Sequence, residues 1–389
     1  MNTFTYSYPV KVCFGEKAAE KHLPGELAKF GTNVLLAYGG GSIKKNGVYQ
    51  ELIAILKSAG KTVTELTGIM SNPTYAKVQE GAKLARQNKI DFILAVGGGS
   101  VIDCCKIVSA QAKLDKDIWN YEYVEHMQPT EFIPMGAIVT AFGTGAEMNN
   151  GAVITNTEKM MKSPLWGAFY DFAILDPAYT MTMPMKQVLS GAFDSLSHAM
   201  ETYMGSPRQV NLSDEINEAT QRNIIRNIRA TIKNPDDIQA RSELIWAAAM
   251  AENGILKIGK TTDFQCHMLE HQLGAYTDCN HGQGLAVLHP VLYRHMLPEA
   301  APQFARLAVE VWDIDSAGKS EQELANAFVD ALAAFIREIG LPTTFAKMGI
   351  SGNIDLRAIA DTTIITGGCA KKFTADELYR VLLECSTPQ

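Results

Sequence analysis

Asp194 and His198 stand four residues apart in "GAFDSLSHAMETY" (191–203), and His267 and His271 repeat that offset in "CHMLEH" (266–271). On a helix, side chains four apart project from one face, as paired metal ligands require. His281 follows immediately before "GQG". A lone histidine is more often a satisfied, partly buried side chain, but two such pairs together with "NHGQG" point to a divalent metal centre. Nitrogen and oxygen ligands without cysteine suit Fe2+, Zn2+ or a similar ion better than calcium or magnesium. "HMLEH" is not HExxH, because Glu270 directly precedes the second histidine, and this disfavours a zincin-type protease.

The other chemistry-bearing stretches are glycine loops. "LAYGGGSIKK" (36–45) and "LAVGGGSVID" (94–103) are nearly the same phrase, each an apolar run breaking into Gly-Gly-Gly-Ser. Outside the carboxyl ends of parallel strands, such turns let backbone N–H groups approach phosphate oxygens. Neither fits GxGxxG, since Lys44 and Ile102 occupy the last glycine position. A single GGGS is as readily a tight strand-to-helix turn. Two copies, and a third loop "TAFGTGAE" (140–147) with Thr140 and Thr144, suggest a ligand of dinucleotide length.

These residues need two kinds of scaffold. Up to about residue 180, short β-rich runs such as "NVLLAY", "TVTEL", "DFILAV" and "MGAIVT" alternate with amphipathic stretches, the signature of βαβ units on a largely parallel sheet. From Pro184 onward, "MKQVLSGAFDSLSHAMETYM", "SDEINEATQRNIIRNIRATI", "ARSELIWAAAMAENGIL" and "SEQELANAFVDALAAFIREIG" repeat apolar residues at helical spacing. The expected organisation is an α/β dinucleotide-binding domain over 1–184 and an all-helical metal-binding, catalytic domain over 185–389. "LDPAYTMTMP" (175–184) is the junction, with a helix cap expected at or near Thr182, and "KNPDD" (233–237) is a turn between helices.

The 389 residues, 47% hydrophobic, suffice for two cores of ordinary size. A net charge of −7 without any Lys/Arg-rich run argues against nucleic acid as a partner. No apolar run reaches the roughly 18 residues of a membrane span, and the N-terminus lacks the pattern of a signal peptide, so a cytoplasmic protein is expected. The seven dispersed cysteines, without a CxxC pair, read as reduced and mostly buried.

Taken together, "GGGSVIDCCK" (97–106), "FGTGAEM" (142–148), "GAFDSLSHAMETY" (191–203) and "CHMLEHQLGAYTDCNHGQGLAVLHP" (266–290) resemble the iron-dependent, group III alcohol dehydrogenases over nearly the whole chain. "YGGGSIKKNG" (38–47) resembles their butanol dehydrogenase and NADPH-dependent aldehyde reductase branch. The resemblance implies a dehydroquinate synthase-like architecture, with an α/β and an all-α domain enclosing a cleft. It implies Asp194, His198, His267 and His281 as metal ligands, and His271 beside the nicotinamide as proton relay. It further implies Gly97, Gly98, Gly99 and Ser100 at the pyrophosphate, with Asp103 one turn on reaching toward the nicotinamide side. Thr140, Thr144, Asn149 and Lys162 line the cofactor, Asn72 and Pro73 lie beside its adenosine end, and Gly39, Gly40, Gly41 and Ser42 form the first loop. NAD-preferring relatives carry an aspartate at the place of Gly40; its absence, with Ser42, Lys44 and Lys45 following, favours NADP(H), with NAD(H) as the alternative. Ala146 departs from the family's serine.

The implied reaction is reversible hydride transfer between NADP(H) and a primary alcohol or aldehyde, by a homodimer or larger homo-oligomer. A lyase or cyclase of the dehydroquinate synthase kind would need lysines and arginines around the metal for a multiply charged substrate, and the Asp194–His281 segments are poor in them. Trp166, Phe264 and Tyr276 are candidates for the substrate pocket and equally for the core.

Overall fold

A computed structural model describes residues 1–350 and 354–387. The chain forms two compact units, one of Ser7–Met183 and one of Met1–Tyr6 with the chain from Pro184 onward.

The first unit runs β1 (Lys11–Phe14), α1 (Ala18–Leu27), β2 (Asn33–Tyr38), α2 (Ser42–Lys45), α3 (Val48–Ser58), β3 (Thr62–Leu66) and α4 (Tyr75–Gln87). It continues with β4 (Phe92–Gly97), α5 (Gly99–Lys113), α6 (Ile118–Tyr123), β5 (Met135–Val139), β6 (Gly151–Asn156), β7 (Met161–Trp166), β8 (Phe172–Leu175) and α7 (Pro177–Thr180). Six strands form one sheet in the order β1-β8-β5-β4-β2-β3, and every pairing in it is parallel. β2, β4, β5 and β8 are buried almost throughout, as continuous apolar runs covered on both faces must be. Strand order reverses at β2: the chain steps outward to β3, then returns to β4 on the other side. That reversal is the place where open α/β sheets bind ligands.

β1 and β8 are too short to stand out in the sequence. The antiparallel hairpin β6–β7 forms a separate two-stranded sheet that alternation with helices does not anticipate. At the junction, Thr182 caps nothing: α7 is capped by Asp176, whose Oδ1 accepts from Ala178 N at 2.9 Å, and Thr182 Oγ accepts from Asn46 at 3.2 Å.

The second unit contains α8 (Met185–Tyr203), α9 (Leu212–Lys233), α10 (Ile238–Glu252), α11 (Gln265–Thr277), α12 (His281–Glu310), α13 (Glu321–Glu338), α14 (Leu356–Thr362) and α15 (Ala375–Ser386). α8 begins at Pro184 with no side-chain cap, whereas α9, α13 and α15 each start on a capping box, Asn211/Asp214, Ser320/Glu323 and Thr374/Glu377. The first six residues, assigned by sequence to the α/β domain, belong here instead, because Asn2 N–H donates to Gly259 O at 2.9 Å. All seven cysteines are free thiols, and all but Cys369 are buried. Among the described residues no helix is long and apolar enough to cross a membrane.

Candidate functional site

In the α/β unit the two GGGS loops follow β2 and β4, which pair directly in a register that sets Tyr38 beside Val96. The loops therefore emerge side by side at the switch point of the sheet. The third loop leaves β5, the next strand, and Thr140 N–H donates to Gly97 O at 2.9 Å.

The two loops have glycine for different reasons. In the second, packing leaves no room for a side chain at Gly97 or Gly99 and little at Gly98. A Cβ on Gly97 would lie 2.8 Å from Val101 Cβ, on Gly98 3.0 Å from Ala141 Cβ, and on Gly99 2.6 Å from Thr144 Cγ2. The loop is thus pressed between the start of α5 and the neighbouring loop, and it presents the N-terminal N–H groups of a 15-residue helix. In the first loop Gly41 has φ 94°, which favours glycine, but a Cβ on Gly40 would meet nothing within 4 Å. Packing does not account for the missing side chain at Gly40.

Lys44, just beyond, has Nζ 3.8 Å from Glu65 and over the rings of Tyr38 (5.1 Å) and Tyr49 (4.6 Å). Its charge is shared with Glu65, which also accepts from both tyrosine hydroxyls. Ser42 and Lys45 are exposed.

The remaining residues form a band along α5 and the hairpin. Ser100 Oγ donates to Ser71 O, next to the buried Asn72, and Pro73 O accepts from Thr155 N at 2.9 Å. Lys162, opposite Thr155 on β7, is buried. Asp103 Oδ2 accepts from Val153 N at 2.9 Å, which ties α5 to β6. Asn149 Oδ1 accepts from Lys106 Nζ at 2.9 Å. Lys106, fully buried and passed over in the sequence, also donates to Gly151 O at 2.6 Å. Thr144 Oγ1 accepts from Ala146 N at 3.2 Å.

In the helical unit, α8 carries Asp194, Ser197, His198 and Glu201 along one buried stripe. Nε2 of His267 and Nε2 of His281 each lie 3.5 Å from Asp194 Oδ1, and Nε2 of His198 lies 3.8 Å from it. One ligand atom each from Asp194, His267 and His281 falls within 4.8 Å of the others. His198 stands beside that trio, its ring stacked on His267 at 4.4 Å between centroids. His271 is buried next to the cluster, its ring 5.5 Å from that of His281 and 6.1 Å from that of His267.

Local structure explains how these side chains converge. α11 starts without a side-chain cap of its own, on Phe264 at φ 53°. Its first N–H, of Gln265, goes to Asp263 Oδ1 at 2.9 Å, and the next two are met across the fold by Glu201 on α8, which accepts from Cys266 N at 2.6 Å and His267 N at 3.3 Å. α12 is capped by Asn280, which accepts from Gln283 N at 3.1 Å and puts His281 at the first helical position. The glycines of "HGQG" permit close approach. A Cβ on Gly282 would stand 2.7 Å from the Ser190 carbonyl carbon of α8, and one on Gly284 would stand 2.8 Å from Glu270 Cγ.

Asp194 Oδ1 and His267 Nε2 are buried without a hydrogen-bond partner. Burial alone would raise the Asp194 pKa, yet the rings of His198, His281 and His267 around it hold it well below the usual carboxylate range. Burial pulls His267 down, but Glu201 and Asp194 push it well above the usual imidazole range. The carboxylates that raise His267 create a negative potential that favours positive charge at this point, and once that extra proton is displaced the orphaned Oδ1 and Nε2 fit a divalent cation. Phe264 lies against His198 and His267, at 5.7 and 5.0 Å between centroids, whereas Trp166 is exposed at the end of β7 and Tyr276 is half-buried.

Two residues of this cluster were missed in the sequence. Glu201 accepts from His267 Nδ1, and Glu270 from His281 Nδ1. Glu201 stands seven residues after Asp194 and shares its helix face, a spacing that could have exposed it.

Residues 9–177 match the iron-containing alcohol dehydrogenases, and residues 188–384 match the C-terminal part of the Fe-containing alcohol dehydrogenase family. The chain is 38% identical over 387 residues to probable NADH-dependent butanol dehydrogenase 1 of Bacillus subtilis, covering 98% of this chain and 99% of that one. It is 33% identical to the NADPH-dependent aldehyde reductase YqhD of Escherichia coli, over 91% of both chains. The crystal structure of NADH-dependent butanol dehydrogenase A from Thermotoga maritima superposes with a TM-score of 0.92 at 32% identity, covering 100% of this chain and 99% of the other. With both halves matched and full-length relatives sharing about a third of their residues, the chain belongs to the iron-containing alcohol dehydrogenase family and is a metal-dependent alcohol dehydrogenase or aldehyde reductase.

Proposed function

We propose that the chain is an NADP(H)-preferring reductase of primary aldehydes, butanol dehydrogenase-like, which runs reversibly. The observation that carries the cofactor preference is the open space at Gly40: a side chain fits there without touching any atom, so a carboxylate could stand at that point and none does. An acid there would hold the ribose hydroxyls of NAD and repel a 2′-phosphate. Its absence leaves the 2′-phosphate of NADP room beside Ser42, with the exposed Lys45 nearby. The relatives include both NADH- and NADPH-dependent enzymes, so the family by itself does not decide the preference.

Asp194, His198, His267 and His281 are the metal ligands in this reading, for Fe2+ or Zn2+. A divalent ion held there supplies Lewis acidity to the substrate oxygen, and the nicotinamide supplies the hydride. His271, buried against the rings of His267 and His281, holds the proton for that oxygen. Gly97, Gly98, Gly99 and Ser100 lay the start of α5 against the pyrophosphate. Asn72, Pro73, Thr140, Thr144, Asn149 and Lys162 line the cofactor, while Asp103 and Lys106 brace that wall through Val153, Asn149 and Gly151. We further infer a cytoplasmic homodimer or larger homo-oligomer.

The test is the loss of nicotinamide absorbance with butanal and metal-loaded enzyme. NADPH should exceed NADH in kcat/KM by at least about tenfold, roughly 1.4 kcal/mol. Equal values, or a preference for NADH, would refute the cofactor assignment. No turnover of any simple aldehyde would refute the substrate class.

A further inference from the structure

We propose that His289 is a positioning residue for His267, acting on it through Ser197 and Glu201. The proposal rests on the reading of Asp194, His198, His267 and His281 as a metal centre. His289 lies on α12, fully buried, with its ring edge-on to those of Phe193 at 6.2 Å and Tyr293 at 4.8 Å between centroids. A core position between two aromatic rings calls for an apolar side chain, whereas an imidazole brings two nitrogens that must be satisfied. Its Nε2 meets Ser197 Oγ at 2.5 Å, and its Nδ1 is buried with no hydrogen-bond partner among the described residues. Packing does not account for a histidine here, since an apolar side chain of similar size would leave no polar atom stranded.

The contacts form one chain that ends on His267. Glu201 Oε1 accepts from the N–H groups of Cys266 and His267, while Oε2 accepts from His267 Nδ1 and, at 3.5 Å, from Ser197 Oγ. A carboxylate can only accept, so it sets the direction of the protons behind it. The Ser197 hydroxyl donates to Glu201, its oxygen is left to accept, and His289 donates to that oxygen from Nε2–H. Burial pulls the His289 pKa down to about 4, so the ring is neutral and carries that one proton. Nε2 also lies 3.8 Å from Glu201 Oε2, which turns the same N–H dipole toward the carboxylate. Glu201 is thus fixed from three helices: α8 carries it, α11 holds Oε1 through two backbone N–H groups, and α12 holds Oε2 through His289 and Ser197. Oε2 is the oxygen that keeps a proton on His267 Nδ1. The proton a cation displaces is then the one on Nε2, which faces Asp194 Oδ1 at 3.5 Å. Without His289, the Ser197 hydroxyl can turn to the Phe193 carbonyl one turn back in α8, and Oε2 loses its tie to α12.

The experiment uses the full chain stripped with a chelator. It reads Zn2+ affinity by chelator competition at fixed pH and the melting temperature of the metal-free protein. Two substitutions part positioning from packing: His289→Leu fills the space and removes both nitrogens, whereas His289→Gln keeps an N–H donor for Ser197 and a polar atom in place of Nδ1. The two readouts should rank them in opposite order. Direct partners of a ligating histidine are worth about 10–100-fold in metal affinity, and His289 stands further out, so His289→Leu should weaken Zn2+ binding by about 3–10-fold and His289→Gln by less than about twofold. The metal-free melting temperature should match or exceed wild type in His289→Leu and fall by about 2–4 °C in His289→Gln. Ser197→Ala should weaken Zn2+ binding as much as His289→Leu does, and the double variant no more than either, because both break one chain. Unchanged affinity in His289→Leu, equal losses in the two His289 variants, or additive losses in the double variant would each overturn the proposal. A His289→Leu protein that melts more than about 4 °C below wild type would do so too, by giving the ring a packing role. If the wild-type chain binds no Zn2+, or Asp194→Ala binds it as tightly, the metal centre itself is refuted and the proposal falls with it. Binding that Asp194→Ala abolishes and His289→Leu leaves intact refutes the proposal alone.

Discussion

Gly282→Ala sets two physical effects of opposite sign against each other. By helix propensity alone, alanine in the first turn of α12 is better than glycine, by up to ~1 kcal/mol. By packing, the new Cβ would stand 2.7 Å from the Ser190 carbonyl carbon and 3.1 Å from its Cα. Carbon atoms in comfortable contact are about 3.5 Å apart, and the Ser190 carbonyl oxygen is nearer still, so α12 and α8 must separate by at least about 0.8 Å. No rotamer relieves the clash, because the obstacle is backbone. Overpacking of this kind costs about 1–3 kcal/mol, which outweighs the gain in propensity. For a unit of about 200 residues the melting temperature should fall by roughly 2–8 °C. The same displacement moves His281, the neighbouring residue, away from Asp194, and metal ligands tolerate errors of only about 0.2 Å, so Zn2+ affinity should fall at least about tenfold. Differential scanning calorimetry of the metal-free chain and chelator competition read the two effects. Gly25→Ala is the control: it lies inside α1 with nothing within 4 Å of its Cβ, and it should stabilise by about 1 kcal/mol. A Gly282→Ala protein that melts at or above the wild-type temperature would refute the packing account of "HGQG".

Other outcomes follow from the same geometry. His267→Ala should lose metal and activity together, whereas His271→Ala should keep its metal, as read by elemental analysis; equal metal loss would end the division of roles. Gly40→Asp should fold normally, since its Cβ is unobstructed, and should shift the NADPH-to-NADH ratio of kcat/KM toward NADH by about tenfold or more; an unchanged ratio would place the selectivity elsewhere. Glu122, whose Oε1 is buried without a partner, has its pKa pushed by burial up to about 7. Its folded pKa lies above its unfolded one, so its contribution to stability is complete below about pH 4 and is lost as pH rises through 7. Glu122→Gln keeps an acceptor for Trp166 N–H and removes that loss, so it should match wild type at pH 4 and exceed it by roughly 1 kcal/mol at pH 8, after screening of a partly exposed group; a constant difference across that range would be the contrary result.

The sequence alone determined the two classes of scaffold and most of the reactive side chains, because those signals are local. Period and composition separate buried parallel strands from amphipathic helices, and an i,i+4 spacing declares a shared helix face without knowledge of any neighbour. Asp194 with His198 and His267 with His271 were legible in that way, and so were the glycine loops that end β2 and β4. Weak local signals failed: β1 and β8, of four residues each, carry too little pattern, and in place of the expected cap at Thr182 α8 starts on Pro184 with no side-chain cap. Only the tertiary structure decided what depends on contacts between distant segments. It brought His281 rather than His271 to Asp194, although His271 has the helical spacing, because Gly282 lets α12 close against α8. It set Glu201 and Glu270 behind two histidines, contacts that cross 66 and 11 residues of chain. It also gave the repeated GGGS phrase two meanings, since neighbours exclude a side chain at Gly97 and Gly99 and crowd Gly98, while nothing crowds Gly40. A residue type is written in the chain, but the reason for it lies in atoms that only folding brings within 4 Å.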